Sequence, residues 1–155
     1  PQVSREKQLV SYTIVETKTL PTASGERMTK AEVFDKAWKL GLKGDFSLVD
    51  KIYHSKYRAV HKSIDVEVDI EADKIVMSTY SEFVIFGPFR VIFENEEFLC
   101  LERNMRVMEE GEPSYNTVIT AITYNDGKII TQESVGERVQ TDPSEGQDWS
   151  WEDYK

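Results

Sequence analysis

The chain has 155 residues, 28 Asp and Glu against 19 Lys and Arg, and a net charge of −9. This length fits one domain that buries about two-thirds of its unfolded surface, and 39% hydrophobic residues are enough for its core. The acidic balance argues against a nucleic-acid partner, because phosphates call for clustered Lys and Arg. No apolar run approaches the ~20 residues of a membrane span, and Pro1–Lys7 lacks the apolar core of a signal peptide. No membrane partner is therefore expected, and the expected location is the cytoplasm.

Residues 1–28 read as an N-terminal arm or strand. Leu9, Ser11, Thr13 and Val15 alternate with Val10, Tyr12, Ile14 and Glu16, and Pro21–Arg27 has loop composition. Thr29 followed by Glu32 has capping-box spacing and opens a first helix. Its stripe is Ala31, Phe34, Ala37, Trp38 and Gly41, and Gly44 suits its C-terminal cap. Asp45 can cap a second helix over Phe46–Tyr53. Tyr57–Ile64 reads as a short strand. Ile64–Ile70 alternates apolar with acidic residues, as an edge strand or a loop would. Asp73–Phe83 suits a third helix with Ile75, Val76, Thr79, Tyr80 and Phe83 on one side. Gly87-Pro88 is expected to break the apolar run Phe83–Phe93.

Three antiparallel strands are predicted at Phe98–Glu109, Tyr115–Tyr124 and Lys128–Val139. Glu110–Pro113 and Asn125-Asp126-Gly127 separate them, the latter with a Gly free to take positive φ. In the first of these strands the row Leu99, Leu101, Arg103, Met105, Val107 is the more apolar and is placed inward. An inward Arg103 needs a partner. Glu133 or Glu102 could supply it, or Arg103 is a solvated charge if the rows are reversed. Cys100, the single cysteine, excludes an internal disulfide and a multi-cysteine metal site, and its mid-strand place suits an inert thiol. The hairpin carries apolar residues on both faces: Val118, Ile122 and Ile130 against Ile119, Ala121 and Ile129. Helices can cover one face, and a second subunit could cover the other. Residues 141–155 form an acidic tail with Trp149, Trp151 and Tyr154. It is expected either to dock as an extended segment with both Trp on one face, or to serve a partner protein.

The order of these elements and three short motifs resemble the SnoaL-like branch of the nuclear transport factor 2-like superfamily. The motifs are Gly44-Asp45-Phe46 with Asp50–Tyr53, Tyr57-Arg58-Ala59-Val60-His61, and Tyr124-Asn125-Asp126-Gly127-Lys128-Ile129. The resemblance spans about Lys30 to Val139. It implies a cone-shaped α+β domain over residues 29–140, with about three N-terminal helices packed on a curved antiparallel sheet. It further implies a pocket for a small apolar ligand and commonly a homodimer. The activity implied is acid–base catalysis of cyclase, isomerase or hydratase type; the alternative is a non-catalytic dimeric interaction or ligand-binding module. His61 falls where isomerase-like members keep a general base, and a histidine's ordinary pKa suits proton transfer near neutrality. The other reading of His61 is a structural histidine. Trp38, Tyr53, Tyr57 and Tyr80 are the aromatic candidates for the pocket lining, or else ordinary core. Arg103 is a candidate clamp for an anion or carbonyl, and Gln132 and Glu133 are polar candidates, since one of two neighbours on a strand must face inward. No cofactor motif occurs, and His54 and His61 have no metal-site spacing.

Overall fold

The computed structural model describes residues 20–21, 27–61 and 65–155. The expected N-terminal strand lies outside the described residues. From that region only β1 (Leu20–Pro21) and β2 (Arg27–Met28) are seen, paired antiparallel.

Helix α1 (Lys30–Leu42) starts where the capping box places it. Thr29 Oγ1 accepts from the Glu32 amide at 3.2 Å, and the Thr29 amide donates to Glu32 at 2.7 Å. Glu94 accepts from the Lys30 amide at 3.1 Å. That carboxylate also suits the positive end of the helix dipole. Helix α2 (Ser47–Ile52) is a short turn behind it. Helix α3 runs from Ile70 to Tyr80, three residues earlier than expected at each end, because Asp69 is its N-cap and accepts from the Ala72 amide at 3.0 Å. Its fully buried residues are Asp73 and Met77, whereas Ile75 is exposed, so the expected apolar side is rotated.

The helices pack on a six-stranded sheet of order β4-β3-β8-β7-β6-β5. The strands are β3 (Tyr53–His61), β4 (Val66–Val68), β5 (Val84–Glu94), β6 (Phe98–Glu109), β7 (Glu112–Asn125) and β8 (Lys128–Val139). Neighbours are antiparallel except β3 and β8, which are parallel, so the sheet is mixed. The fold is thus α+β with three helices on one sheet. Two hairpins use positive-φ pairs, Glu110-Gly111 and Asp126-Gly127, the backbone that matches strand twist in a two-residue loop. Pro113 therefore lies inside β7 and not in the turn. Gly87-Pro88 does not end β5 either. The register shifts there, between Phe86 and Phe89, and the strand continues. A bulge on an edge strand tolerates a proline because no ladder partner needs its missing N–H. A second bulge, between Thr123 and Tyr124, puts Ile129 opposite Tyr124 and buries it together with Ile122.

The odd row of β6 faces inward: Leu99 and Leu101 are fully buried, and Arg103 is 4% exposed. With Phe34, Trp38, Val49, Met77 and Ile122 they build the core between helices and sheet. On the opposite face Phe93, Ile119 and Val135 remain exposed.

The tail docks, and not as an extended strand. It makes a 3₁₀ turn over Trp151–Tyr154. Trp151 is 4% exposed, stacks on Tyr115 with ring centroids 5.9 Å apart, and donates its indole N–H to Asp142 at 2.8 Å. Trp149 meets Trp151 edge-to-face at 5.1 Å, so the two rings do not share one flat face. The Trp151 ring lies against the bulge: a Cβ on Gly87 would come within 2.9 Å of it. Glycine is required there for close approach. Burial acts to raise the Asp142 pKa, but hydrogen bonds from Ser144, Trp151 and Tyr115 outweigh it and hold the carboxyl at about 2. A folded-state value below the ordinary 3.8 means that this support is complete above about pH 4 and is lost as the pH falls toward 2.

Gly87→Ala is expected to cost about 1–3 kcal/mol in urea denaturation, as overpacking does, and to red-shift the tryptophan emission. Acidification of the native protein from about pH 4 toward 2 should produce the same shift. Unchanged stability and emission in Gly87→Ala would show that Trp151 does not rest on the bulge.

Candidate functional site

Between α1, α3 and the inner face of β5–β8 lies a cavity of about 260 Å³. Phe34 and Trp38 of α1, Val76 and Tyr80 of α3, and Met105 and Val118 of the sheet make most of its wall apolar. The helical period places Phe34 and Trp38 on the sheet-facing stripe of α1, and strand alternation brings Met105 and Val118 to the inner face. Polar groups enter from the sheet: Arg103, Asn116, Thr120, Gln132 and Ser134. Thr120 and Ser134 satisfy each other at 3.1 Å. Among the described residues no Asp, Glu, His or Cys borders the cavity, and no group of three or more such side chains is placed to hold a metal ion.

Arg103 is the charged group of the wall. Its Nη2 lies 3.2 Å from Asp35 Oδ1 on α1, and the other Asp35 oxygen lies 2.8 Å from Lys39 Nζ. The guanidinium also sits 4.8 Å from the Phe86 ring centroid and 5.7 Å from that of Phe34. Burial pushes its pKa down and the Asp35 charge pulls it back up, with burial the larger effect. Nη2 and Oδ1 are both buried, and neither makes an aligned hydrogen bond. The ion pair is therefore a close Coulombic contact that leaves guanidinium N–H capacity unused.

Gln132 is oriented by a relay. Trp38 Nε1 donates to Tyr53 Oη at 2.8 Å, and Tyr53 Oη donates to Gln132 Oε1 at 3.3 Å. Indole nitrogen can only donate, so the tyrosine proton must go on to the glutamine carbonyl. Burial raises the Tyr53 pKa, which keeps it a neutral donor. The amide nitrogen of Gln132 is then the end of the side chain left to donate. Arg103 and Gln132 thus bring two donor side chains to the wall of an otherwise apolar cavity.

No protein-family model matches the chain, and no curated protein matches it by sequence. Solved structures do match. A protein of unknown function from Cytophaga hutchinsonii, described as nuclear transport factor 2-like, superimposes with a TM-score of 0.55 at 15% identity, over 68% of this chain and 96% of that one. A protein from Jannaschia sp. CCS1 assigned as a SnoaL-like polyketide cyclase gives 0.55 at 14% identity, over 69% and 84%. A hypothetical protein from Catenulispora acidiphila with a ketosteroid isomerase-like fold gives 0.54 at 11% identity, over 69% and 86%. The chain has the nuclear transport factor 2-like fold.

Within this nuclear transport factor 2-like fold, Trp38, Tyr80, Arg103 and Gln132 border the cavity. Tyr53 and Tyr57 do not. Tyr53 begins β3 instead of ending α2, and its hydroxyl is taken up by Trp38 and Gln132. Tyr57 is 1% exposed and donates to Asp73 Oδ2 at 2.6 Å, which ties β3 to α3. Glu133 is exposed, because its neighbour Gln132 takes the inner side of β8. The backbone of His61 ends β3 opposite Ser134, while its side chain lies outside what is described. Neither Glu133 nor Glu102 partners Arg103: Glu102 pairs with Arg90 on the outer side at 3.3 Å. Asp35 is the partner that sequence reasoning missed. The signal for it was present in the spacing Ala31, Asp35, Trp38, which is one helical stripe.

The two halves of the pair should behave unequally. Asp35→Ala leaves Arg103 buried without an anion and should cost about 3–5 kcal/mol in chemical denaturation. Arg103→Met leaves Asp35 still paired with Lys39 and should cost clearly less. Equal losses would show that Lys39 does not hold Asp35.

Proposed function

We propose that this chain is a SnoaL-like protein whose cavity binds a small, mostly apolar molecule bearing a carbonyl or carboxylate oxygen. The observation that carries this reading is the convergence of the Arg103 and Gln132 donors on a wall otherwise made largely of Phe34, Trp38, Val76, Tyr80, Met105 and Val118. Ligand sites are commonly apolar clefts with a few placed polar groups. A volume of about 260 Å³ suits a small ring system.

The same donors would stabilise negative charge growing on a carbonyl oxygen, as in cyclase, isomerase or hydratase chemistry. Such a reaction also needs a proton acceptor. None is found among the described lining residues, so the catalytic reading assigns that role to His61. Its register opposite Ser134, which borders the cavity, supports the assignment. The same apolar wall and donors would also serve a second reading, a ligand-binding module without turnover.

Titration of the full protein with small aromatic ketones and carboxylates tests both. Affinity should fall about tenfold in Gln132→Leu and in Arg103→Met, as loss of a charged or buried hydrogen bond implies. Filling the cavity with Val118→Trp should abolish binding. Turnover lost in His61→Ala with binding retained supports catalysis. Wild-type affinity in both donor variants would overturn the site.

We also propose a homodimer through the outer sheet face, where Phe93, Ile119 and Val135 are 51%, 38% and 50% exposed. Ile119 and Val135 are cross-strand neighbours, and exposed apolar residues gathered on one sheet face are a common mark of an interface. Light scattering at micromolar concentration should give about twice 17.9 kDa, and Ile119→Lys should give the monomer. A monomeric wild-type protein would refute the assembly.

A further inference from the structure

A second recess, of about 440 Å³, lies between the C-terminal end of α1, the start of β5 and the docked tail. Its floor is apolar, from Leu42, Phe83, Ile85 and Met108. Its rim is basic: Lys39 of α1, Lys43 at the C-cap of that helix, Arg106 of β6 and Lys155 of the tail, against Glu82 and Asp153. This local excess runs counter to the whole chain, in which 28 acids outnumber 19 bases.

The rim charges differ in what already holds them. Lys39 is paired with Asp35 at 2.8 Å and Lys155 with Glu152 at 2.6 Å. The Asp153 carboxylate accepts from the Ser150 amide and hydroxyl at 2.7 and 3.1 Å. Arg106 and Lys43 have no carboxylate partner among the described residues. The Arg106 guanidinium lies 5.6 Å over the Trp151 ring, and its Nε is buried without an acceptor. A donor withdrawn from water and left unmatched is unfavourable until an oxygen meets it. The last-turn carbonyls of Leu40 and Gly41 in α1 are taken by the amides of Lys43, Gly44 and Asp45.

We propose that this recess is a second binding site, for a small carboxylate with an apolar body. Arg106 and Lys43 meet the carboxylate, while Leu42, Ile85 and Met108 take the body. Tyr154 and Lys155 wall the site, so occupancy and tail docking stabilise each other by mass action. This inference is independent of the reading of the main cavity.

The test uses the full chain with decanoate as the probe and decanol as its neutral counterpart, followed by tryptophan emission and by amide shifts. Decanoate should move the signals of Leu42, Ile85, Met108 and Tyr154, and bind at least about tenfold more tightly than decanol, as a charge-assisted contact implies. Arg106→Gln should weaken decanoate about tenfold and leave decanol unchanged. Because Arg106 also covers Trp151, the exposed Lys43→Gln is the companion variant, and it should weaken decanoate several-fold with unaltered emission in the free protein. Val118→Trp, which fills the main cavity, should leave decanoate binding intact. The proposal is overturned if decanoate does not bind, if decanol binds equally well, if both charge variants retain full affinity, or if Val118→Trp abolishes binding.

Discussion

A guanidinium buried on the inner face of a sheet has to be met by an anion, and here the anion is carried by the helix that forms the opposite wall of the cavity. Arg103 and Asp35 lie 3.2 Å apart across the helix–sheet interface. Their contact constrains how α1 sits on β6. Moving the helix away would leave a charge in the core, which is costly. The Trp38–Tyr53–Gln132 relay acts between the same layers and is set by chemistry as much as by packing, since only one direction of donation is available to an indole. Together they hold the helix against the sheet beside a cavity that Arg103 and Gln132 border. The apolar residues around them supply most of the stability. The polar pair and the relay supply the geometry.

The tail continues the same logic at the sheet's edge. β5 has a neighbour on one side only, and an open edge invites pairing with another chain. The bulge at Gly87-Pro88 and the Trp151 ring laid against Gly87 cover part of that edge. Cation–π contacts of Trp151 with Arg106 and of Tyr154 with Lys39 fasten the segment to β6 and α1. Two acids of the tail are used locally: Asp142 accepts from Trp151 and Ser144, and Asp153 from Ser150. A stretch whose composition suggests disorder is thus held by its aromatic residues.

Much of this frame is legible in the sequence. Strands β6 and β8 fall on their expected residues because alternation and a two-residue turn are local signals. The start of α1 follows from Thr29 and Glu32 for the same reason. The inward direction of Arg103 also follows from alternation. The losses occur where a local signal competes with a tertiary one. Asp69 reads as part of an alternating strand until its helix exists to be capped. Gly87-Pro88 reads as a break until the edge position of β5 and the ring of Trp151 are known. Ile129 changes face only because a bulge intervenes. Asp35 is invisible as the partner of Arg103 because the two are far apart in the chain and meet only once α1 lies on the sheet. Tyr53 and Tyr57 read either as cavity lining or as ordinary core, and they belong to the core. They spend their hydroxyls on Gln132 and Asp73.

Arg103 and Gln132 both border the cavity, so a ligand seated there must meet the N–H groups of both side chains. Nitrogen-15 spectra of the arginine guanidinium and glutamine side-chain amides, recorded during titration with a small aromatic ketone or carboxylate, report on both groups at once. The Arg103 and Gln132 signals should move together, in proportion to occupancy, while Arg90 and Arg138 stay still. Saturable binding that leaves both signals unmoved would contradict this.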